Sequence, residues 1–392
     1  MLVELPLADH FRGLALTVER DGGVIYPAIC RGVAEDARVL SLLDETPLPQ
    51  RRPLLLLAAV HFLLLSGVDH PLAGYYDTVA VVRGTPLDVS ATDVSTVFAA
   101  FCDEHRRELE QVIATRTTQT NEVGRCSALL PGLCHIASLY EWGVPLALLD
   151  LGTSAGLNLL FDDYAYTYRS ASDDDVRTAG AVGSAVSIEC SARDDVSSLP
   201  ELRVPLIGER VGLDLSPLDP FSDDAVLWLL ACQWPDNPSR FGRLRAALSN
   251  VRASGNPPRL EQGDMVTDLP RVAASIAGTS PLVVFHSWVA AYLGEDQQRT
   301  LAAEVRALGA VRPVHHLYCE TPFETPGLPT PPSPVPREGP DLATALVHIG
   351  PSGEPERLAD THPHGYWIRW WPSTRPGPTE HPGEPAPGSP PR

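Results

Sequence analysis

The sequence lacks an apolar run long enough to cross a membrane. Its longest run, Pro53–Leu65, has about thirteen residues, whereas a membrane-spanning helix needs about 20. We therefore predict a buried helix here. Residues Met1–Pro6 also lack the basic segment, apolar stretch and cleavage site of a secretory signal, so we expect a cytoplasmic protein with no membrane partner.

Basic runs and paired cysteines are also missing. Acidic residues outnumber basic ones 49 to 30, and without a Lys/Arg-rich run a nucleic acid has no broad positive surface to bind. We expect a small-molecule substrate instead. The cysteines are odd in number and form no Cys-x-x-Cys pair, which argues against a disulfide framework and a zinc ribbon, and we predict no metal site. They are Cys30, Cys102, Cys126, Cys134, Cys190, Cys232 and Cys319.

The first part of the chain has the spacing of helices. A length of 392 residues favours two units, and we interpret residues 1–142 as an all-α accessory domain that forms a lid over the site. Apolar residues recur there at helical intervals. The predicted helices are Ala28–Leu43, Leu54–Ser66, Ser90–Thr115 and Asn121–Trp142.

Residues 143–371 alternate short apolar runs with helical stretches, the pattern of an α/β domain with a parallel, doubly wound sheet. We expect about seven strands with an antiparallel C-terminal edge, because only turns separate the last two. The predicted strands are Leu146–Leu151, Arg210–Leu215, Arg259–Gly263, Leu282–His286, Val311–Cys319, Ala343–Ile349 and Tyr366–Trp370.

Three segments depart from this plan. Residues 164–207, rich in Ser, Asp and Gly, are interpreted as an insertion with a hairpin near Ala185–Cys190. The Pro-rich loop 321–340 and the Pro/Gly-rich tail 372–392 have too few apolar residues to join a core, and both are expected to be poorly ordered.

The turn after the first predicted strand is the strongest candidate site. Asp150 is followed by Gly152, Ser154 and Gly156, and a glycine turn between strand and helix lets the backbone approach a nucleotide. A dinucleotide fingerprint fails because its second and third glycines are replaced by Ser154 and Leu157. Gly-x-Ser-x-Gly also matches a hydrolase elbow with Ser154 as nucleophile, but that elbow follows a later, central strand. The third interpretation is the glycine turn of a class I methyltransferase, which this stretch resembles with Ser154 at the middle glycine.

Two acids that end later strands extend this resemblance. Asp214 resembles the acid that receives the ribose hydroxyls, since a carboxylate offers two acceptors to a vicinal diol; the alternative is that Asp214 or Asp219 caps the next helix. Asp214 follows Asp150 by 64 residues, against about 20 in nucleotide sites, and the insertion accounts for the excess. Asp264 and Met265 resemble the adenine-contacting pair, although Gly-Asp after a strand is also an ordinary turn.

Further candidates lie beside these strand ends. His286 and Ser287, with Trp288, leave the fourth predicted strand and would face the transferred group as catalytic residues; packing or capping is the alternative. Asn121 and Arg125 begin the helix before the first strand. One interpretation is helix capping by Thr120 or Asn121, with Glu122 favoured by the helix dipole. The other is that the segment closes over the methionine end of the cofactor, where Arg125 would pair with a carboxylate.

Five motifs together resemble an uncharacterised bacterial family, catalogued as domain of unknown function 2332, over nearly the whole chain. Ser216 stands where we would expect Asn, and the pair Gln233-Trp234 departs from the common one. The family has no activity to carry over. The motifs are Thr120–Arg125, Gly152–Asn158, Asp214–Pro220, Gln233–Asp236 and Pro363–Trp367.

The sequence thus favours a Rossmann-like, S-adenosylmethionine-dependent methyltransferase acting on a small acceptor. Methyl transfer needs little acid–base help once the reactants are positioned, so the lack of a catalytic dyad fits. A serine hydrolase using Ser154, with His286 or His364 as base, is the first alternative. A cofactor-binding module without transfer activity is the second. The acceptor and the oligomeric state stay open.

Overall fold

The computed structural model describes residues 6–84, 93–171, 174–255, 257–335 and 343–371. The predicted tail, 372–392, lies outside these residues. Helices dominate the first 140 residues, as the apolar spacing predicts. Within the described ranges the α-helices are α1 (Leu7–Arg20), α2 (Ile25–Val33), α3 (Ala37–Leu40), α4 (Pro53–Leu65), α5 (Asp77–Arg83), α6 (Val94–Glu104), α7 (Arg106–Thr115), α8 (Cys126–Ala137), α9 (Asp223–Ala231), α10 (Pro238–Ala253), α11 (Leu269–Ala274) and α12 (Glu295–Leu308).

Helix α4 confirms the predicted buried helix. Only Leu54 and Phe62 of its residues are not fully buried, because a helix that is apolar on every side must be covered all round. It packs against α1, α7 and α9. In the part of the chain that the structure describes, no helix is long and apolar enough to cross a membrane.

Two other predicted helices are interrupted or shortened in the structure. Asp36 caps α3 by accepting a hydrogen bond from Arg38 N, so the predicted helix Ala28–Leu43 breaks there. Short acidic side chains favour caps over helix interiors because they compete for backbone groups. The predicted helix Asn121–Trp142 is shortened to α8, which a 3₁₀ turn over Val123–Arg125 precedes.

The strands form one mixed sheet of eleven strands instead of the predicted seven. Their order across the sheet is β3-β2-β4-β11-β10-β9-β8-β7-β1-β5-β6. The strands are β1 (Leu146–Leu151), β2 (Ala165–Ser170), β3 (Val176–Gly180), β4 (Ser187–Ala192), β5 (Ile207–Asp214), β6 (Arg259–Gln262), β7 (Leu282–Ser287), β8 (Val314–Glu320), β9 (Thr344–Ile349), β10 (Pro355–Thr361) and β11 (Trp367–Trp370).

The half of the sheet from β8 to β6 is parallel. From β1 the chain reaches β5 and β6 on one side and then returns to β7 on the other side. The strand order therefore reverses between β1 and β7, which makes the gap between them a topological switch point. In doubly wound sheets, ligands bind at such a point, outside the carboxyl ends of the strands.

The insertion extends the sheet at its opposite edge. Strands β2 and β3 form an antiparallel hairpin, and β4 pairs with β2 in parallel. The predicted hairpin near Ala185–Cys190 is therefore wrong, since that stretch is β4. Three fully buried tyrosines pack on one face of β2 and of the residue that precedes it: Tyr164, Tyr166 and Tyr168.

The C-terminal antiparallel strands, β9 to β11, lie in the middle of the sheet, not at its edge. Strand β11 pairs with β4, so the insertion covers the edge that the sequence predicts to be open. Strand β10 was not predicted because it contains Arg357 and Asp360. Both are buried and form an ion pair, with Arg357 Nε donating to Asp360 Oδ1 at 2.8 Å.

The described part of the Pro-rich loop, residues 321–335, is bound to the sheet, unlike the poorly ordered loop that was expected. Tyr318 donates to Pro329 O at 2.8 Å, and Arg357 donates to Pro331 O at 2.8 Å. Leu328 is buried. Proline has no N–H to satisfy, and neighbouring donors satisfy these two proline carbonyls.

Two apolar clusters cover the two faces of the parallel half. One joins the N-terminal helices, α8, α9 and α10 to one face of the sheet. The other lies under α11 and α12 on the opposite face. The helices of residues 1–142 and the sheet thus share one hydrophobic core, which fixes the segment before β1 against the strand ends.

Candidate functional site at the carboxyl ends of the parallel strands

Unusual backbone geometry marks both strands at the switch point. Among the described residues, only Ser154 (φ 54°) and Trp288 (φ 56°) have a positive φ without being glycine. Ser154 follows β1 and Trp288 follows β7. Residues held in sparsely populated conformations cost about 1–3 kcal/mol each and cluster at functional sites. The two exits are therefore the best candidate site in the described chain.

The turn after β1 is tightly packed. Asp150 is buried, and its Oδ2 accepts from Thr153 Oγ1 at 2.9 Å. Burial, with a smaller effect of Asp214, raises the pKa of Asp150 to about 8. At Gly152 (φ 70°) the space that a side chain would need is filled by Val289. The sequence predicts that a ligand approaches this glycine, but in the structure the side chain of Val289 packs against it.

Asp214 is connected directly to this turn. Its Oδ2 accepts from Ser154 N at 2.9 Å and its Oδ1 accepts from Ser216 N at 2.8 Å. It caps no helix, because Ser222 caps α9. Asp219 instead accepts from Phe221 N in a local turn. The tip of β5 and the turn of β1 therefore form one hydrogen-bonded unit, although 60 residues separate Ser154 from Asp214.

Asp264 and Met265 have local partners. Asp264 Oδ1 accepts from the backbone N–H groups of Val266 and Thr267, both at 2.9 Å, which is the ordinary-turn alternative. Met265 is buried in the apolar cluster under α11. None of the hydrogen bonds described for Asp264 reaches the turns after β1 or β5. Gly156 closes the β1 turn with φ 74°, and a 3₁₀ helix, Leu157–Asp163, follows it.

The segment before α8 connects the two strand exits. Asn121 Nδ2 donates to Thr153 O at 2.8 Å. Arg125 Nη1 donates to Ser287 O at 3.1 Å, its Nε donates to Pro363 O at 2.9 Å, and its guanidinium lies 5.7 Å from the ring centre of Trp288. The structure therefore brings Asn121 and Arg125 together with the β1 turn and the β7 exit.

Three buried polar atoms around this point have no hydrogen-bond partner among the described residues: Asn121 Oδ1, Ser154 Oγ and Trp288 Nε1. An unpaired buried polar atom costs about 1–3 kcal/mol, and such atoms are rare enough in proteins to require an explanation. Their grouping at one strand junction indicates a place where a polar ligand supplies the missing partners.

His286 lies outside this group, contrary to the prediction that it faces the transferred group. It is fully buried, with Nδ1 2.7 Å from Glu320 Oε1 and Nε2 3.0 Å from His316 Nε2. Side chains alternate between the two faces of a strand, and His286 points into the interior beside β8. Of Ser287, the structure shows the carbonyl in contact with Arg125.

The structure gives Ser154 no base in the described chain. Its Oγ has no hydrogen-bond partner and the residue is fully buried, while a nucleophilic serine needs a base within hydrogen-bond reach. His286 is paired with Glu320 and His316, and His364 lies 3.4 Å from both Asp21 Oδ2 and Glu122 Oε2. No observation favours the hydrolase alternative.

A buried network of charges lies next to Asn121. Glu122 is 3% exposed and lies 2.6 Å from Arg240 Nη2, 3.2 Å from Arg243 Nη2 and 3.4 Å from His364 Nδ1. Burial alone would raise the pKa of Glu122, but Arg240, His364 and Arg243 together hold it well below its usual range. We call these residues, with Asp21, the Glu122 cluster. It fixes the segment that carries Asn121 and Arg125.

Close backbone contact completes this junction. Gly365 has φ 75°, and a side chain there would collide with the carbonyl of Gly124. Ser127 Oγ donates to Gly365 O at 2.9 Å. Trp234 packs edge-to-face on His364, with ring centres 5.8 Å apart. The five motifs quoted for the family resemblance therefore meet at one end of the sheet.

Arg240 and Arg243 were missed by the sequence reasoning. They lie on α10 in the ordinary sequence Pro238–Ala253, and only the tertiary structure places them against Glu122. Glu122 itself was assigned only a favourable helix-dipole effect. The sequence feature that could have indicated this cluster is the density of hydrogen-bonding side chains in Thr120–Arg125, which directly precede an apolar helix.

Comparisons with known proteins assign no activity to this arrangement. No curated protein and no solved structure matches the chain. A family model described as "Uncharacterized protein conserved in bacteria (DUF2332)" matches residues 8–370. Because this match covers almost the whole chain, the protein belongs to that family.

Proposed function

We propose that this protein is an S-adenosylmethionine-dependent methyltransferase that binds its cofactor at the switch point between β1 and β7. The carrying observation is that both strand exits there have a strained non-glycine residue, Ser154 and Trp288, each with a buried polar atom that has no partner among the described residues. The strand order reverses at this gap, which is where open α/β sheets bind ligands.

Asp214 is the residue best suited to the ribose. Each carboxylate oxygen already accepts one backbone N–H and, with two lone pairs, has capacity for a second donor. A vicinal diol offers two such donors. The same hydrogen bonds hold the carboxylate against the β1 turn, so the ribose and the chain beyond it would lie over Ser154.

Asn121 and Arg125 are suited to the amino-acid end of the cofactor. Both are buried beside the β1 turn and the β7 exit. Asn121 Oδ1 would accept from the ammonium group, and the guanidinium of Arg125 would pair with the carboxylate. Asp264 and Met265 belong to this proposal only as neighbours of the adenine, because their described contacts are local.

The chemistry asks little of the protein beyond positioning. The cofactor supplies an activated methyl group: the nucleophile of the acceptor bonds to the methyl carbon while the carbon–sulfur bond breaks and its electrons stay on sulfur. Holding the two reactants in line supplies much of the acceleration. A site made of fixed turns and buried side chains, in which the described residues form no acid–base dyad with Ser154, is consistent with this reaction.

Calorimetric titration with S-adenosylmethionine and S-adenosylhomocysteine tests the proposal. We expect the wild type to bind both, and Asp214→Ala to bind at least about tenfold more weakly, because two hydrogen bonds to a charged group are worth about 1.5–3 kcal/mol each. Asp214→Asn keeps the shape of the side chain and removes its charge. Asp219→Asn is the matched control, an exposed acid in the same loop.

Each result of this titration has a separate meaning. Lack of binding by the folded wild type would overturn the proposal, and an unchanged affinity in Asp214→Ala would remove this residue from the site. Binding without turnover on any acceptor would support the alternative of a cofactor-binding module. Hydrolysis of an activated ester that is lost in Ser154→Gly, without cofactor binding, would instead favour the hydrolase.

A further inference from the structure

A second polar cluster lies near the amino end of β8, away from the switch point. His135 lies on α8, His348 on β9 and Glu356 on β10, where Glu356 pairs directly with His348 across the two strands. One nitrogen or oxygen atom from each lies within 4.8 Å of the other two. With His315, these residues are called the histidine cluster.

We propose that His135, His348 and Glu356 bind a divalent transition-metal ion, with Zn²⁺ as the best match. Two imidazoles and one carboxylate are a ligand set that zinc accepts in sites with an open fourth position. Zinc bonds of about 2.0–2.2 Å to these atoms need ligand atoms somewhat closer together than they are here. His135 Nε2 and Glu356 Oε2 are 3.9 Å apart, and all three ligand atoms lie within 4.8 Å of one another, so side-chain rotations would have to bring them closer to complete the site.

The ligands stand on rigid elements. Helix α8 packs against β8, β9 and β10, so the helix that carries His135 is fixed to the strands that carry the other two residues. The rings of His135 and His348 lie with centres 5.4 Å apart and nearly perpendicular, at 77°. Coordination therefore requires rotation of side chains and no movement of the backbone.

A hydrogen-bonded chain lies behind His348. His315 Nδ1 is 2.8 Å from His348 Nε2, and Tyr140 OH is 2.6 Å from His315 Nε2. A metal-binding histidine uses one ring nitrogen for the ion and almost always hydrogen-bonds through the other, which fixes the orientation of the ring. His315 and Tyr140 are the positioning residues that this arrangement requires.

The cluster is accessible. A cleft of about 950 Å³ has Tyr140, His316 and Gly350 among its lining residues. A side chain at Gly350 would contact the ring of His348 at 3.4 Å, and Tyr140 contacts His315, so the cleft borders the cluster. His135 and Glu356 keep 16% and 17% of their side-chain surface exposed. These two partly exposed side chains are the side from which an ion would enter.

Metal titration of the untagged full-length protein, stripped with a chelator, tests this site. We expect one equivalent of Zn²⁺ to bind by calorimetry, and one equivalent of Co²⁺ to give the visible absorption of a four-coordinate ion. His348→Ala, His135→Ala and Glu356→Gln should each weaken binding by at least about 100-fold, and His315→Phe by about 10- to 100-fold. His105→Ala is the control, because it removes a histidine beside another His–Glu pair, His70 and Glu104.

The readout is binding, so it is independent of the proposed methyl transfer. Circular dichroism and melting curves establish that each variant is folded, and Glu356→Gln, which removes a charge at nearly constant volume, keeps the test valid if a histidine variant unfolds. Lack of stoichiometric metal binding by the wild type would overturn the proposal. Equal binding in wild type and Glu356→Gln would also overturn it.

Discussion

The two ends of the parallel sheet bury polar groups in different ways. At the carboxyl ends, the Glu122 cluster places a carboxylate between two guanidinium groups. Near the amino end of β8, the histidine cluster joins three imidazoles, a tyrosine hydroxyl and a carboxylate that is partly exposed. At the first end, guanidinium groups compensate the buried carboxylate. At the second end, the neighbouring groups are imidazoles, which can exchange protons.

The Glu122 cluster is therefore a fixed structural support, whereas the histidine cluster can change its protonation and its ligands. The pKa of Glu122 is held well below its usual range, so its carboxylate stays charged near neutral pH. Imidazole can be neutral, protonated or metal-bound. We therefore expect mutations in the Glu122 cluster to act mainly on stability and mutations in the histidine cluster to act mainly on ligand binding.

The largest effect should come from Glu122→Ala. This change leaves Arg240 and Arg243 buried without their counter-charge, and breaking a buried ion pair in this way costs about 3–5 kcal/mol. Urea unfolding would measure the loss. His315→Phe, which removes the hydrogen bonds of this imidazole to Tyr140 and His348, should cost about 1–3 kcal/mol, and the exposed Glu295→Gln should cost less than about 1 kcal/mol. Equal losses in Glu122→Ala and Glu295→Gln would contradict the comparison.

An effect that depends on pH should appear in the stability of Asp150→Asn. Because the pKa of Asp150 is raised to about 8 in the folded protein, from about 4 when unfolded, its contribution to stability is fully present below about pH 4. It is lost as pH rises through 8. Asparagine resembles the protonated form and does not titrate.

Relative to wild type, Asp150→Asn should therefore gain up to about 1.4 kcal/mol per pH unit between pH 5 and 8. Denaturant unfolding at half-unit steps of pH, with Asp296→Asn on the exposed face of α12 as control, measures the difference. Parallel stability profiles for Asp150→Asn and wild type would show that Asp150 is not buried as a neutral acid.

The smallest effect should come from Ser154→Gly. Glycine adopts a positive φ without strain, and the hydroxyl that is lost has no partner among the described residues. We expect the free energy of unfolding to rise by about 1 kcal/mol or less. Ser154→Ala removes the hydroxyl and keeps the strain, so it should be less stable than Ser154→Gly in thermal unfolding. An alanine variant that is more stable than the glycine variant would contradict this assignment of strain.

Cofactor binding sharpens the same test. Ser154→Gly should preserve or improve binding of S-adenosylhomocysteine, since glycine is the usual residue at this position of a methyltransferase turn. Ser154→Leu should block it, because a branched side chain would occupy the space next to the turn. Binding that is indifferent to leucine would place the cofactor elsewhere.

The sequence by itself determined the local elements. It predicted β1 with both of its ends and the burial of α4, and it identified the turn Gly152–Gly156, because apolar periodicity and glycine position depend on neighbours in the chain. It also predicted the alternation that gives the parallel half of the sheet. These features need no knowledge of which distant segments meet.

The tertiary structure alone decided the rest. The insertion forms the far edge of the sheet. Strand β10 could not be predicted from apolar alternation, because two of its buried residues are the charged pair Arg357 and Asp360. Helix α10 brings Arg240 to Glu122, and β9 and β10 bring His348 and Glu356 to His135. Such contacts join residues far apart in the chain, and their energy depends on which polar groups are paired inside the protein, which periodicity along one segment does not record.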